Sequence, residues 1–378
     1  MILMPDTPIL TTTDELLTLA EELAGQAAIA VDLEADSMHH YREQVCLLQV
    51  STTARTVLID PLAVRDLSPL KPVLADPAVR KYFHAADYDI RCLHRDFAIE
   101  VRGLFDTMIA CQFLGEEKVG LADVLQTYFD VSLDKRFQRA DWSKRPLSGE
   151  MIRYAAEDTR HLHRLGEWLE GRLAAKGRLD WVAEEFALLE GVRHNENQGP
   201  LYLRFKGAGM LKPRQLAVLD ALLQFRDAEA QRRDCPAFKV LGNSALLEIA
   251  RTAPTSLRAL VGLAGMPARL VERYGSRLLK VIEAAMELPD AQLPQFPRSE
   301  RSERNPEAEA RLNLLKKWRT AKAGELGMDP GILINNAALE ELSRRPPATA
   351  RALAESALKN WQKDVLGDDI IAVLFAPQ

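Results

Sequence analysis

Ala28-Ile29-Ala30-Val31-Asp32-Leu33-Glu34 is followed by Val45-Cys46-Leu47-Leu48-Gln49-Val50 and then by Thr56-Val57-Leu58-Ile59-Asp60-Pro61. Each is an apolar run of strand length, and proline ends the third. The connections are too short for crossover helices, so the three runs are expected to pair as an antiparallel meander. Upstream, Thr11-Thr12-Thr13-Asp14 can cap a helix running to about Gly25. Downstream the pattern alternates. Leu67 to Leu74 reads as helix, Lys81 to His84 as strand, Tyr88 to Phe97 as helix, Val101 to Phe105 as a short strand, and Thr107 to Leu114 as helix. Strands paired locally and then separated by helices predict an α/β domain, a mixed sheet flanked by helices. Ser148 is placed to cap a long helix reaching about Ala175.

From Leu211 onward the strand signals stop, and helical periodicity with proline punctuation takes over. Phe225-Arg226 recurs as Trp318-Arg319, Pro236 as Pro330, and Pro254 as Pro347, at lags of 93 or 94 residues. Two tandem, small all-α modules follow from that spacing. The run Pro289 to Pro306 holds four prolines and alternating charges and reads as a linker. The expected division is 1–206 for the mixed-sheet domain, 207–289 for the first helical module, 290–305 for the linker and 306–378 for the second module.

Charge divides along the same lines. Residues 1–206 carry a net charge of −9, residues 207–289 a net of +4, and the remainder balances. The whole chain, at −5 over 378 residues, is not a uniformly basic nucleic-acid coat protein. Apolar and charged fractions of 47% and 27% exclude a collagen-like or wholly disordered chain. Cys46, Cys92, Cys111 and Cys235 form no C-x-x-C pair and read as reduced, buried thiols of a cytoplasmic protein. The first residues lack the basic start of a secretory signal, and no run approaches a membrane span.

The chemistry-bearing candidates are acids. Asp32 and Glu34 sit two apart at the end of the first strand, on one face of it. Side by side among apolar residues they repel, unless hard cations such as Mg²⁺ or Mn²⁺ lie between them. Tyr154 and Asp158, spaced i and i+4, share a helical face, so a phenol can orient a water beside a carboxylate. His84-Ala85-Ala86-Asp87-Tyr88-Asp89 follows the fourth strand, and either Asp87 or Asp89 could project toward the first.

Taken in order, D-x-E on a strand, an Asp after HAADYD and Y-x-x-x-D on a later helix resemble the tyrosine subtype of the DEDD exonucleases. The likeness continues through Leu47-Leu48-Gln49, Leu58-Ile59-Asp60-Pro61-Leu62, Phe105-Asp106-Thr107, Leu133-Asp134-Lys135 and Asp141-Trp142-Ser143-Lys144-Arg145-Pro146-Leu147. These runs resemble the ribonuclease D family in particular, over about residues 8–206. Residues 211–288, with Gly262-Leu263-Ala264-Gly265-Met266-Pro267 and Arg273-Tyr274-Gly275, resemble the HRDC domain, a helical nucleic-acid-binding module. Residues 306–378 resemble a diverged second copy, in which Ala357-Leu358-Lys359-Asn360-Trp361 replaces the glycine-rich turn.

The resemblance implies a ribonuclease H-like exonuclease fold followed by two HRDC domains. It implies 3′ to 5′ hydrolysis of RNA, transfer RNA precursors first, with release of nucleoside 5′-monophosphates. Asp32, Glu34, Asp89, Tyr154 and Asp158 carry over as site residues, the four acids as ligands of two divalent cations. Asp106 carries over as an acid behind them. In the basic module, Arg226, Arg232, Arg233, Lys239 and the backbone at Gly265 are the candidates for phosphate contact. A chain cut near Lys206 is expected to keep its sheet and to degrade short RNA. The alternatives are a DNA 3′ to 5′ exonuclease of repair and a non-catalytic nucleic-acid-binding scaffold. No membrane or obligate protein partner is expected.

Overall fold

The computed structural model describes residues 7–195, 199–297 and 305–375. The first six residues, on which the reading of the amino terminus rests, lie outside the described residues. Two compact units form. One takes in residues 7–35, 45–194 and 305–375, and the other takes in residues 36–44 and the described part of 195–302.

The first unit is built on a six-stranded sheet: β1 (Ile9–Leu10), β2 (Ala28–Ala35), β3 (Val45–Ser51), β4 (Thr56–Ile59), β5 (Arg80–Phe83) and β6 (Leu104–Asp106). Their order across the sheet is β1-β4-β3-β2-β5-β6. The meander is present, with β2–β3 and β3–β4 antiparallel, while β2–β5 and β5–β6 run parallel through helical crossovers. This is the mixed sheet that the sequence predicts. Two-residue β1, parallel to β4, was not expected from sequence. It is too short to show an alternating pattern. Thr12 starts the Thr13–Ala24 helix with a capping box, the Thr12 hydroxyl taking the Glu15 N–H while the Glu15 carboxylate takes the Thr12 N–H.

The long helix expected from Ser148 to Ala175 is two helices, Gly149–Arg160 and Leu162–Ala175, broken at His161. Ser148 caps the first by accepting the Met151 N–H at 3.2 Å. The break lets the first helix lie over β2, β3 and β4, and the second over β2, β5 and the Thr107–Leu114 helix. Local bonds hold it there. Ser51 Oγ meets Thr159 Oγ1 at 2.7 Å, and His163 Nε2 donates to the Ser51 carbonyl at 2.9 Å.

The repeat in the helical region is real. Helices start at Pro213, Ala237, Asn243, Leu257 and Ala268 in the first copy, and at Pro306, Pro330, Asn336, Ala350 and Asn360 in the second. The first four starts are offset by 93 residues and the last by 92. The lost residue falls in the turn that holds Gly265, at φ 80°, in the first copy and no glycine in the second.

The expected boundaries shift in three ways. Tyr202 and Phe205 are buried in the first module's core, so residues 201–206 belong with that module rather than with the sheet. Phe296 packs on the same core and Arg214 pairs with Asp290, so the start of the expected linker is part of the module too. Residues 298–304 of that linker lie outside the described residues. Most consequentially, the second module is not separate. Leu315, Leu333, Leu339, Trp361 and Leu366 share one continuous core with the sheet. Gly115 lies so near the Gly327 carbonyl oxygen that a Cβ on it would sit 1.9 Å away, so only glycine permits the approach.

Candidate active site

Three elements bring the acids together. β2 carries Asp32 and Glu34 on one face, opposite Gln49 and Leu47 of β3. The register shifts just after Glu34, so regular pairing ends at the acids. Asp89 lies on the Asp87–Phe97 helix, which follows β5 after a turn with Ala85 at φ 66°. Asp106 fixes that turn. Its carboxylate accepts the Ala86 N–H at 2.7 Å and the Ala85 N–H at 3.2 Å, and it also caps its own helix through the Met108 and Ile109 N–H groups. Asp106 thus holds the turn from which the Asp89 helix starts. Tyr154 and Asp158 come from the Gly149–Arg160 helix. Below Tyr154, Trp142 packs at 5.9 Å between ring centroids. Its segment is clamped to the sheet by Arg145, which donates to both Asp60 oxygens and to the Cys46 and Trp142 carbonyls.

Asp87 and Asp89 differ in their surroundings. The Asp87 carboxylate is exposed and bound by Arg91 at 2.8 Å, which holds its pKa low. Asp89 is 5% exposed, and burial followed by the charges of Asp32, Asp106 and Asp87 raises its pKa well above the carboxylate range.

Asp32, Glu34, Tyr154 and Asp158 line a cleft of about 350 Å³, with His84, Asp123, Asp134, Lys135 and Gln138 on its walls. Burial pushes Asp32 up to about 7, and burial with the Asp32 and Glu157 charges pushes Asp158 to about 8. Glu34 is raised well above its usual range by burial and by Asp32, Asp158 and Asp89. The charges acting most strongly on these acids are other acids. Such a set fits a hard divalent cation, for which oxygen donors and concentrated negative charge are suited. Among the described residues no group of three or more His, Cys, Asp or Glu side chains is already placed to hold a metal ion. Burial, then Asp158, Glu34 and Asp32, raise the Tyr154 phenol above its usual range, so it is protonated at neutral pH.

The sequence reading did not single out His84, which lines the cleft. His84 is held by Thr107 at 2.9 Å, and burial lowers its pKa, which keeps the ring neutral at the cleft wall. Gln49 is buried with neither amide atom hydrogen-bonded.

In the first helical module, the phosphate candidate Arg226 is half-buried and bonded within the fold. Its guanidinium donates to the Leu241 carbonyl and to Asn243 Oδ1, and Arg319 makes the same two bonds to Ile334 and Asn336 in the second copy. Arg232 pairs with buried Glu229 at 2.6 Å, and Arg233 donates to the Tyr274 hydroxyl at 2.6 Å; both remain exposed. Lys239 is exposed beside exposed Phe238, and Gly265 is exposed in the turn that precedes the Ala268–Met286 helix.

Comparison with known proteins agrees with this arrangement. A family model described as 3'-5' exonuclease matches residues 8–174, and the HRDC domain model matches residues 215–282 and 308–374. Ribonuclease D of Granulibacter bethesdensis is 33% identical over 98% of this chain and 93% of its own length. Ribonuclease D of Escherichia coli is 34% identical over 76% of this chain and 77% of its own. The crystal structure of Escherichia coli RNase D superposes with a TM-score of 0.71 at 27% identity, covering 99% of this chain and all of that one. Fold and homology define a 3′–5′ exonuclease carrying HRDC domains. The chain belongs to the ribonuclease D family and is a 3′–5′ exoribonuclease. Among the described residues, no helix is long and apolar enough to cross a membrane.

Proposed function

We propose that this exoribonuclease trims structured RNA from a free 3′ end, transfer RNA precursors first, and releases nucleoside 5′-monophosphates. Asp32, Glu34, Asp89 and Asp158 would hold two divalent cations, Mg²⁺ or Mn²⁺. The observation that carries the reading is the crowding of four carboxylates from three elements at one site where their strongest charged neighbours are also acids. Such cations, when bound, supply an activated water and stabilise the leaving 3′ oxygen.

The chain's own part is orientation. Asp32 is central, since its charge acts on Glu34, Asp89 and Asp158 alike. Tyr154, protonated, donates a hydrogen bond that aligns the attacking water, because a phenol held above its usual pKa is a poor base at neutral pH. Asp106 holds the turn that aims Asp89. The first helical module, with Tyr202, Phe205 and Phe296 in its core, is the part set aside for RNA, while the second module shares the core of the exonuclease unit. The first module's net charge of +4 gives it the attraction for RNA that the acidic unit lacks, with Arg232, Arg233, Lys239 and the Gly265 turn as its contacts. The Escherichia coli relative is involved in structured RNA processing, which supports a folded substrate. Four buried free cysteines suit a reducing, cytoplasmic setting.

The test is incubation of the full chain with Mg²⁺ and labelled precursor transfer RNA, matched DNA and duplex RNA, scoring 3′ shortening. Metal-dependent shortening of the RNA that Asp32→Asn abolishes supports the reading. Equal trimming of the matched DNA, or strong residual cleavage by well-folded Asp32→Asn, overturns it.

A further inference from the structure

We propose that the aromatic and arginine patch of Tyr128, Phe129, Trp168, Arg164 and Arg172 is a track for single-stranded RNA, taking the bases that lie 5′ to the nucleotide in the cleft. The inference rests on the reading of the cleft around Asp32 and Asp158 as the place of cleavage. An exoribonuclease has to hold the strand that remains behind the 3′ end. The cleft itself is lined mainly by acids, so attraction for that strand has to come from elsewhere.

Two helices lead from the cleft to the patch. The Leu121–Phe129 helix starts on the cleft wall with Leu121, Ala122 and Asp123, and ends with Tyr128 and Phe129. The Leu162–Ala175 helix starts on the same wall with Leu162 and carries Arg164, Trp168 and Arg172. Helical rise puts Tyr128 about 10 Å beyond Leu121, and Trp168 about 9 Å beyond Leu162. That is roughly three stacked bases at 3.4 Å each. The rings meet there, Tyr128 and Trp168 at 4.4 Å between centroids and Phe129 and Trp168 at 5.7 Å. The Arg164 guanidinium lies 4.4 Å from the Phe129 centroid, and that of Arg172 lies 4.6 Å from the Trp168 centroid.

The patch stays open to solvent. Tyr128 is 38% exposed and Arg164 is exposed. Glu116 accepts from both Arg172 and the Tyr128 hydroxyl, so Arg172 is already neutralised. Arg164 makes no hydrogen bond or ion pair among the described residues. It is thus an uncompensated cation in a region, residues 1–206, of net charge −9. Guanidinium planes and aromatic faces side by side suit single-stranded RNA of any sequence, because every base has a π-face and every nucleotide a phosphate.

The experiment compares the full chain with Arg164→Gln, with Tyr128→Leu, which keeps apolar packing without the ring, and with Asp32→Asn. Affinity is measured for an unstructured RNA dodecamer with a non-hydrolysable 3′ linkage, across a salt series, and kcat and KM are measured on a trinucleotide. Tyr128→Leu is expected to weaken dodecamer binding roughly 5–150-fold, and Arg164→Gln to lower the log–log salt slope by about 0.7. Both are expected to leave trinucleotide cleavage near wild type, since that RNA stops short of the patch. Wild-type affinity and slope in both variants would make the patch a packing or protein-contact surface and overturn the proposal; so would an equal loss on the trinucleotide. Should Tyr128→Leu fail to fold, the slope in Arg164→Gln decides alone. If Asp32→Asn cleaves the trinucleotide normally, the reading of the cleft itself fails. If Asp32→Asn is inactive while the two patch variants bind the dodecamer as wild type does, only the track fails.

Discussion

Trp361 stacks on Trp181, with ring centroids 5.2 Å apart and 14° between the planes. The indole N–H of Trp361 donates to Glu185 at 2.9 Å, and Lys359 Nζ reaches the same carboxylate at 2.6 Å. Glu184 accepts the backbone N–H groups of Asn360 and Trp361, both at 2.9 Å. The segment that replaces the first module's glycine-rich turn is therefore spent on the sheet domain. Where the first copy has that turn, the second has an internal anchor.

Truncation should show it. A chain ending near Lys206 leaves Trp181 and Phe113 without Trp361, so it should be markedly less stable than the full chain and prone to aggregate, contrary to the independence expected from sequence. Trp361→Ala alone should cost about 3–5 kcal/mol. Urea unfolding of both variants checks this; full-chain stability in either would show that the packing is dispensable.

Asp32 and Asp158, held at about 7 and about 8 against an ordinary value of 3.8, set a pH dependence. Between those limits the folded, metal-free protein binds more protons than the unfolded chain, so stability falls as pH rises from about 4 to about 8. With chelator present, Tm should be lower near pH 8 than near pH 5.5. Asp32→Asn should shrink that drop, and Mn²⁺ should offset it at the alkaline end. Scanning calorimetry in chelator and in Mn²⁺ gives the comparison, and an identical drop in Asp32→Asn would contradict it.

The second motif can be tested by two substitutions. Asp89→Asn should abolish RNA cleavage. Asp87→Asn, which removes only an exposed pair with Arg91, should leave activity near normal and stability within about 0.5 kcal/mol. Assays of both variants alongside thermal melts decide it, and the reverse pattern would move the motif by two residues.

Tyr154→Phe keeps the ring against Phe137 and Trp142 and removes only the hydroxyl. Turnover should fall roughly 10²–10³-fold with little change in RNA affinity, the loss of one oriented hydrogen bond in the transition state. Single-turnover kinetics with a separate binding titration would reveal it. A near-normal rate would reduce Tyr154 to packing.

Arg226→Ala should destabilise the first module, since its guanidinium bonds Leu241 and Asn243 within the fold, while leaving the salt dependence of RNA binding intact. Lys239→Ala should lower the log–log salt slope by about 0.7–0.9 without changing Tm. RNA affinity across a salt series separates the two, and an equal slope change in both would return Arg226 to the RNA contacts.

Local pattern carried much of this molecule. Apolar runs of strand length, a capping threonine and proline punctuation are short-range signals, and they sufficed for the meander, the crossovers and the 93-residue repeat. The spacing of D-x-E and Y-x-x-x-D put each pair on one face, because side-chain direction along a strand or helix follows from its period, while the resemblance to the exonucleases proposed the set. What only the tertiary structure decided depends on contacts between distant segments. The break at His161 follows the sheet surface beneath it, and Arg226 and Arg319 each bond a carbonyl distant in sequence within its own module. The same holds for the second module. Nothing within residues 305–375 encodes that Trp361 will meet Trp181; the meeting exists because stacking takes apolar surface of both indoles out of water.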